Sequence, residues 1–256
     1  MLTYINKKAV LSVLYYLCRQ NYFIDMKAIK LYFLFFLCMC PFLVSAQHVT
    51  YRSFDHYNDR VAEFETMRAI DSTDVVMLGN SLTEYAGDWN VLLKARHIRN
   101  RGIAGDDAEG IYNRLIQILP GKPKAIFLLV GGNDLSHDLT PSQVFANCKK
   151  VIEKILADSP KTKLYVQSLL PINESFGRWK KLEGKTDDVA AVNRLLRHYC
   201  EKNNIAYINL FKHFNRHGTN EMRKSLTVDG LHLSPQGYKI WAFHINSYIK
   251  KLGNKK

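Results

Sequence analysis

The sequence predicts an α/β fold in which a parallel β-sheet lies between two layers of helices. Apolar runs alternate along the chain with segments of helical periodicity, as in repeated strand–helix–strand units. The runs are continuous rather than alternating with polar residues, which indicates strands that are buried on both faces of the sheet. Because no linker divides the chain beyond residue 46, we predict one three-layer α/β/α domain over residues 47–256.

Five segments carry the strand pattern, and the third has the most apolar sequence. Residues 125–130 read Ala-Ile-Phe-Leu-Leu-Val, so this strand is expected at the centre of the sheet. The second segment is the weakest, because charged and polar residues interrupt it. The predicted strands are residues 74–79, 97–103, 125–130, 163–170 and 205–210.

Helical segments separate these strands, and the last helix has the clearest boundaries. Ser234 suits its N-cap, Pro235 its first helical position, and lysines lie at its end. We expect Pro120 to stop the second helix, and the amphipathic first helix to pack on the sheet. The predicted helices are residues 61–70, 111–119, 141–158, 187–203 and 234–250.

The first 46 residues differ from the rest and predict a targeting segment. Met26 and the lysines beside it precede an apolar run, residues 31–44, which ends in small residues up to Ala46. A basic start, a short apolar core and small residues at the end are typical of a secretory signal peptide. We therefore predict translation from Met26, cleavage after Ala46, and a secreted or periplasmic protein.

An uncleaved anchor is the alternative for this segment, and it would be the protein's one link to a membrane. Its lipid would be carried by Cys38 or Cys40, but neither follows the small residues of a lipoprotein signal. The apolar run is also short for a bilayer span, and Pro41 interrupts it. Beyond residue 46 the cysteines are Cys148 and Cys200, both in predicted helices, where buried thiols are favoured and a disulfide stays open.

The charge balance is clearly basic. The chain has 36 lysines and arginines against 23 acidic residues, a net charge of +13, and it stays basic without its first 46 residues. Such a balance favours anionic surroundings such as acidic glycans or lipid head groups. The sequence has no arginine-rich block, zinc-finger spacing or aromatic RNA-binding signature, so we expect no nucleic-acid partner.

Polar residues with complementary chemistry follow the predicted strands. Ser81, Gly105 and Asn133 follow the first three strands, while Asp229 and His232 lie in the loop before the last helix. Parallel strands bring their carboxyl ends to one rim, so these residues are expected to meet there. They could supply the nucleophile, the base, the orienting acid and the oxyanion donors of ester hydrolysis. Read singly, Ser81 could equally be a helix cap, Asn133 a turn residue and Gly105 a loop glycine.

These blocks resemble the motifs of the SGNH, or GDSL-like, hydrolase superfamily over residues 74–249. Residues 101–106 and 229–233 are most similar to the branch of platelet-activating-factor acetylhydrolase catalytic subunits and bacterial carbohydrate O-acetylesterases. The resemblance implies a flavodoxin-like fold with about five parallel strands. It also implies Ser81 as nucleophile, His232 as base and Asp229 as its orienting acid. The amides of Ser81 and Gly105 and the side chain of Asn133 would form the oxyanion hole.

The nucleophile block departs from the family pattern at one position. Residues 79–81 read Gly-Asn-Ser where many members have Gly-Asp-Ser. That aspartate is not the triad acid of the family, so we expect Asn80 to change local hydrogen bonding and not the chemistry. Thr83 replaces the second glycine of a Gly-x-Ser-x-Gly elbow, which argues against an α/β-hydrolase.

Two other histidine patterns compete with this interpretation. Asp134 and His137 repeat the Asp-x-x-His spacing and also follow a strand, so His137 is the alternative base. His213 and His217 are four residues apart, but no third metal ligand is obvious and a solvated pair is favoured. We expect no metal and no cofactor.

The resemblance implies a serine esterase that removes short acyl groups, chiefly acetyl, from carbohydrate, with a small-molecule or glycan ester as its partner. Trp89, Arg178 and Trp179 are predicted to contact the substrate, the last two from a long connection after the fourth strand. Two alternatives stay open: a lysophospholipase or thioesterase acting on longer acyl esters, and a non-catalytic module that binds glycan or lipid.

Overall fold

The computed structural model describes residues 54–253, in which strands and helices alternate. The predicted signal peptide and its cleavage site lie outside these residues. The strands are β1 Val75–Gly79, β2 Ile98–Gly102, β3 Ala125–Leu128, β4 Lys163–Gln167 and β5 Ala206–Ile208. The α-helices are α1 Asp55–Thr66, α2 Ser81–Glu84, α3 Trp89–Leu93, α4 Ala108–Arg114, α5 Gly132–Leu135, α6 Pro141–Asp158, α7 Thr186–Lys202, α8 Phe211–Phe214 and α9 Pro235–Lys251.

The five strands form one parallel sheet in the order β2-β1-β3-β4-β5. The most apolar strand, β3, is at its centre and is completely buried, as its sequence predicts. The chain leaves β1 toward one edge to make β2 and returns past β1 to make β3. The direction of winding therefore reverses at β1 and β3, and ligands of such sheets bind outside the carboxyl ends of the strands there.

Two apolar clusters cover the two faces of the sheet. Val76 and Leu78 of β1 pack with α4, α6 and α7 on one face. Val75 and Met77 point the opposite way and pack with α3, α8 and α9. Successive side chains of a strand point to opposite faces, so a continuous apolar strand needs helices on both. The predicted three-layer α/β/α fold with about five parallel strands is confirmed.

The first helix differs from its prediction in position and in packing. It spans Asp55–Thr66 and not residues 61–70, and its buried side chains, Tyr57 and Phe64, form a separate small cluster with Ile103 after β2. The helix ends early because the chain turns extended at Met67. Beyond that point Arg68 pairs with the buried carboxylate of Asp74, 2.5 Å away.

The other helices agree with the sequence except near Pro120. Helix α6 has the predicted ends, and α7 and α9 match within one residue. Helix α4 starts earlier than predicted because Asp107 caps it, and it gives way to two 3₁₀ turns, Leu115–Gln117 and Leu119–Gly121. Pro120 lies inside the second turn, where its missing N–H costs nothing. Cys148 and Cys200 are buried free thiols on α6 and α7.

Between residues 54 and 253 no helix has both the length and the apolarity that a bilayer crossing requires.

Candidate active site

Ser81 is the first residue of α2, directly after β1. Asn80 is the N-cap of that helix, and its Oδ1 accepts a hydrogen bond from the amide of Leu82 at 3.1 Å. Aspartate and asparagine cap helices equally well, so Gly-Asn-Ser in place of Gly-Asp-Ser keeps the cap. Because Asn80 is the cap, the Ser81 hydroxyl is not needed for that purpose. The turn is tight, since a Cβ on Gly79 would collide with the Thr83 side chain.

A chain of hydrogen bonds joins Ser81 to the loop before α9. His232 Nε2 lies 3.1 Å from Ser81 Oγ, and His232 Nδ1 lies 2.8 Å from Asp229 Oδ2. Ser81 and His232 are 151 residues apart in the sequence, yet they lie within hydrogen-bond distance of each other. At this distance a base can take a proton from a hydroxyl. The loop is internally braced, because Thr227 Oγ1 donates to the carbonyl of His232 and accepts from the amide of Gly230, both at 2.8 Å.

The Asp229 carboxylate is held in its charged form. Partial burial pushes its pKa up, but hydrogen bonds from the His232 ring and from the amides of Leu231 and His232 outweigh burial, so the pKa is lowered. The two amides donate to Oδ1, at 3.0 and 2.7 Å, which leaves Oδ2 for the imidazole. An ionised carboxylate in this position orients the imidazole and stabilises its protonated form.

Asn133 and the Gly105 loop are tied to each other. Asn133 Nδ2 donates to the carbonyl of Asp106 at 2.7 Å, and a side-chain amide has a second hydrogen to offer. Gly105 has a positive φ of 84°, and a Cβ there would press on the ring of Phe54. Ser81 and Asn133 line one cavity, while Gly105 lines a neighbouring depression with Phe54.

Arg114 holds this loop to the sheet, a role that the sequence did not reveal. Its guanidinium is buried and donates to Asp106 Oδ2 at 2.8 Å and to the carbonyls of Arg101 and Gly79 at 2.9 Å. Burial raises the pKa of Asp106 to about 7, although the charge and the hydrogen bond of Arg114 act to lower it. An arginine three residues after Ile111, on the apolar side of a helix, was the one signal available.

Glu84 forms a second brace between α2 and the same loop. Its Oε2 accepts from the amide of Ala104 at 2.5 Å, next to Gly105. The carboxylate also pairs with Arg60 and His56 of α1, at 3.5 and 3.1 Å. Helix α1 is therefore connected to the site through Glu84.

The competing histidine patterns do not form sites. Asp134 is buried, and its Oδ2 accepts from the amide of Ala108, while His137 lies 3.5 Å from Asp107. Asp134 and His137 therefore have contacts other than those of the hydrogen-bond chain from Ser81 to Asp229. His213 stacks on His244 of α9, with ring centroids 3.4 Å apart. In the part of the chain that the structure describes, no three potential metal ligands cluster together.

The three predicted substrate contacts have different surroundings. Trp89 is a core residue, 1% exposed, whose Nε1 donates to the carbonyl of Thr83, and the prediction that it contacts substrate is corrected. Its helix turns the indole inward, against the edge of Trp241. Trp179 is 41% exposed, and its ring centroid lies 5.0 Å from that of His232. Arg178 is exposed and lines a cavity with Trp179.

Two cavities lie beside the hydrogen-bond chain from Ser81 to Asp229. The first, of about 30 Å³, touches Ser81 and Asn133, and its remaining walls are mainly aliphatic. These apolar walls include Leu129, Leu135, Leu169, Leu170, Ile172, Val189 and Leu231. The second, of about 80 Å³, lies between the loop that carries Trp179 and the loop that carries Gly230 and Leu231.

Two curated relatives are about 24% identical to this chain over the aligned residues. An N-acylneuraminate cytidylyltransferase of Escherichia coli O18:K1:H7 (strain RS218 / NMEC) is 24% identical over 197 residues, which are 75% of this chain. The chain spans only 43% of that protein's length. The GDSL esterase/lipase CPRD49 of Arabidopsis thaliana is 24% identical over 204 residues, covering 69% of this chain and 78% of the plant protein.

Solved structures share the fold. A protein of Bacteroides fragilis NCTC 9343 superposes with a TM-score of 0.68 at 21% identity, over 78% of this chain and 99% of its own. A GDSL-like lipase of Bacteroides thetaiotaomicron VPI-5482 gives 0.66 at 22% identity, over 76% and 97%. The acetyl xylan esterase AlAXEase gives 0.56 at 21% identity, over 69% and 99%.

The sequence also matches the model of a protein family. The model of the GDSL-like Lipase/Acylhydrolase family matches residues 77–240, more than half of the chain. The match contains every residue of the hydrogen-bond chain from Ser81 to Asp229, and it also contains Gly105 and Asn133. The chain therefore belongs to the GDSL-like lipase/acylhydrolase family, and with it to the carboxylic ester hydrolases.

Proposed function

We propose that the protein is a serine esterase with Ser81 as nucleophile, His232 as general base and Asp229 as the orienting acid. The observation that carries the proposal is the continuous pair of hydrogen bonds, 3.1 and 2.8 Å long, from Ser81 Oγ to the carboxylate of Asp229. The lowered pKa of Asp229 supports the same assignment, because the charged carboxylate offsets the positive charge that His232 gains.

The reaction has two steps. Ser81 Oγ bonds to the ester carbonyl carbon while its proton passes to His232 Nε2, and the carbonyl oxygen becomes an oxyanion. The amides of Ser81 and Gly105 and the second hydrogen of Asn133 Nδ2 donate to that oxygen. The alcohol then leaves with the proton from His232, and water attacks the acyl-enzyme by the same path to release the acid.

The cavity beside Ser81 favours a short acyl group. Its volume is about 30 Å³, whereas one water-sized group needs roughly 10–15 Å³ by the same measure. The space therefore suits the methyl group of an acetyl ester, and aliphatic walls such as Leu135 and Leu231 offer it no hydrogen-bond partners. An octanoyl chain would extend well beyond this space.

A carbohydrate is the proposed alcohol half of the substrate. One solved structure with this fold is an acetyl xylan esterase, and one relative is an N-acylneuraminate cytidylyltransferase, so sugars occur among the ligands of similar proteins. In this chain Trp179 offers an exposed ring beside His232, and Arg178 offers a positive charge on the same cavity. Together these contacts would suit an O-acetylated sugar.

Hydrolysis of p-nitrophenyl acetate and p-nitrophenyl octanoate tests this function. We expect the acetate to be the better substrate, and we expect Ser81→Ala and His232→Ala to abolish turnover. His137→Ala is the matched control, because its spacing from an aspartate is the same but it lies outside the hydrogen-bond chain. Retained turnover in His232→Ala would refute the assignment. A preference for octanoate would favour a lysophospholipase or thioesterase, and binding without turnover a non-catalytic module.

A further inference from the structure

Two exposed aromatic rings contact the imidazole of His232. The ring of Tyr85, just after α2, lies 5.2 Å from it between centroids, and the ring of Trp179 lies 5.0 Å from it. They come from distant parts of the chain, one beside the nucleophile and one in the loop between β4 and α7. Tyr85 is 55% and Trp179 41% exposed, so both rings present apolar surface to solvent at the rim of the site.

The polar atoms of these two side chains differ from those of the more buried aromatic residues. Trp89 and Trp241 each donate their indole N–H, at 3.1 and 2.8 Å, and the hydroxyl of Tyr238 donates at 3.0 Å. Within residues 54–253, no hydrogen bond is made by Tyr85 Oη or by Trp179 Nε1. The polar tip of an aromatic residue usually finds a partner when the ring is covered, so both tips are available to whatever covers them.

Their position assigns the rings to the alcohol half of an ester. His232 is the residue that returns the proton to the leaving alcohol, so a group packed on the imidazole also lies beside that alcohol. The acyl half has its own cavity beside Ser81 and Asn133, and neither aromatic ring lines it.

We propose that Tyr85 and Trp179 form a clamp that binds a pyranose ring as the alcohol half of the substrate. The inference rests on the proposed function and deepens it, since it makes Tyr85 a specificity-determining residue for cyclic over open-chain alcohols. Aromatic faces pack against the C–H faces of a sugar, while Tyr85 Oη and Trp179 Nε1 pair with its hydroxyls. The Asp229–His232 hydrogen bond already orients the imidazole, so the clamp is not needed to hold the base.

The test compares a per-O-acetylated methyl xyloside with ethyl acetate, using the full-length chain. We expect Tyr85→Ala and Trp179→Ala each to raise the KM for the sugar ester about three- to tenfold, the range typical of one aromatic contact. The KM for ethyl acetate should rise less than the KM for the sugar ester, because the small ethyl alcohol offers the rings far less surface than a pyranose. Tyr85→Phe should keep most of the affinity, since it retains the ring.

The matched control is Tyr112→Ala, which removes another exposed tyrosine, 39% exposed on α4. Titration of the same sugar ester into Ser81→Ala, with and without Tyr85→Ala, measures binding separately from turnover. A weaker Kd in the double variant supports the clamp even if Ser81 is not the nucleophile. An unchanged Kd, or an equal rise in KM for both esters in Tyr85→Ala, would overturn it and leave Tyr85 as a support for His232.

Discussion

Asn133 is the residue on which the oxyanion assignment depends most. Its Nδ2 is fixed by the carbonyl of Asp106, so its second hydrogen has a defined direction. We expect Asn133→Ala to lower kcat for p-nitrophenyl acetate by about a hundredfold to a thousandfold, the usual loss for one oxyanion donor. The far-UV circular dichroism spectrum should be unchanged. Asn203→Ala, which removes an exposed amide at the end of α7, is the control, and near-normal kcat in Asn133→Ala would refute the role.

At the scale of single residues, the sequence singled out Ser81, Asp229 and His232, which form the hydrogen-bond chain. It did not single out all the side chains that hold or contact them. Ser81 and His232 stand in motifs whose spacing points to one rim of a parallel sheet. Trp89 was misplaced because the sequence does not show which side of a five-residue helix faces the core. Arg114 and Tyr85 were missed because each depends on partners that only the folded chain brings close.

At the scale of elements, a backbone hydrogen bond joins the loop that carries Trp179 to the loop that carries Gly230 and His232. The amide of Asn173 donates to the carbonyl of Gly230 at 2.7 Å, and Asn173 Nδ2 donates to the carbonyl of Met222 at 2.6 Å. The carboxylate of Glu174 then accepts from the amides of Gly184 and Thr186, at 2.8 and 3.0 Å. The position of Trp179 is therefore linked to the position of His232.

Gly230→Ala tests this junction. Gly230 has a φ of +94°, and a Cβ there would collide with the carbonyl of Asn173. We expect the loops to separate and kcat for acetate esters to fall at least tenfold, since small displacements of catalytic groups are costly. Gly218→Ala is the control, because Gly218 also has a positive φ, +73°, but nothing lies within 4 Å of its Cβ. Equal kcat values for the two variants would contradict the junction.

The stack of His213 on α8 against His244 on α9 predicts a loss of stability in acid. Burial, His244, Lys212 and Arg223 lower the pKa of His213 to about 4. Between about pH 6.5 and 4 the unfolded chain therefore binds more protons than the folded one. The contribution of the stack to stability is complete above about pH 6.5 and declines as the pH falls.

Urea unfolding at pH 7 and at pH 4.5 checks this expectation. His213→Gln should lose less of its free energy of unfolding between the two pH values than the unmodified protein loses. His217→Gln, which changes an exposed histidine outside the stack, should behave like the unmodified protein. The same pH dependence in all three proteins would rule out the stack as its origin.

Helix boundaries followed the sequence where a local signal exists. The Thr140–Gln143 capping box starts α6, and Ser234 caps α9. The ends of α1 and α4 have other features: the chain becomes extended at Met67, and the α-helix changes to 3₁₀ turns after Arg114. Such features do not change the spacing of apolar residues, so the sequence pattern does not reveal these helix ends.

At the scale of the molecule, the parallel sheet and the burial of both its faces were predictable because strand–helix–strand units allow few topologies. The proposed export of the protein belongs to this scale too. We expect the intact mass of the protein recovered outside the cytoplasm to correspond to a chain that starts at Gln47. A basic start and small residues before the cleavage position are the reason. Recovery only as a longer, membrane-bound form would favour the uncleaved anchor.

The separation of Ser81 from His232 also has a consequence for protein synthesis. The serine leaves the ribosome 151 residues before its base, about 8 to 30 s earlier at ordinary elongation rates. During that interval β1, β2 and β3 can pair, and the nascent chain already contains Ser81, Gly105 and Asn133. It lacks His232, the proposed base, so on this proposal a growing chain does not hydrolyse esters. Hydrolysis starts only when the segment that ends in α9 has joined the sheet.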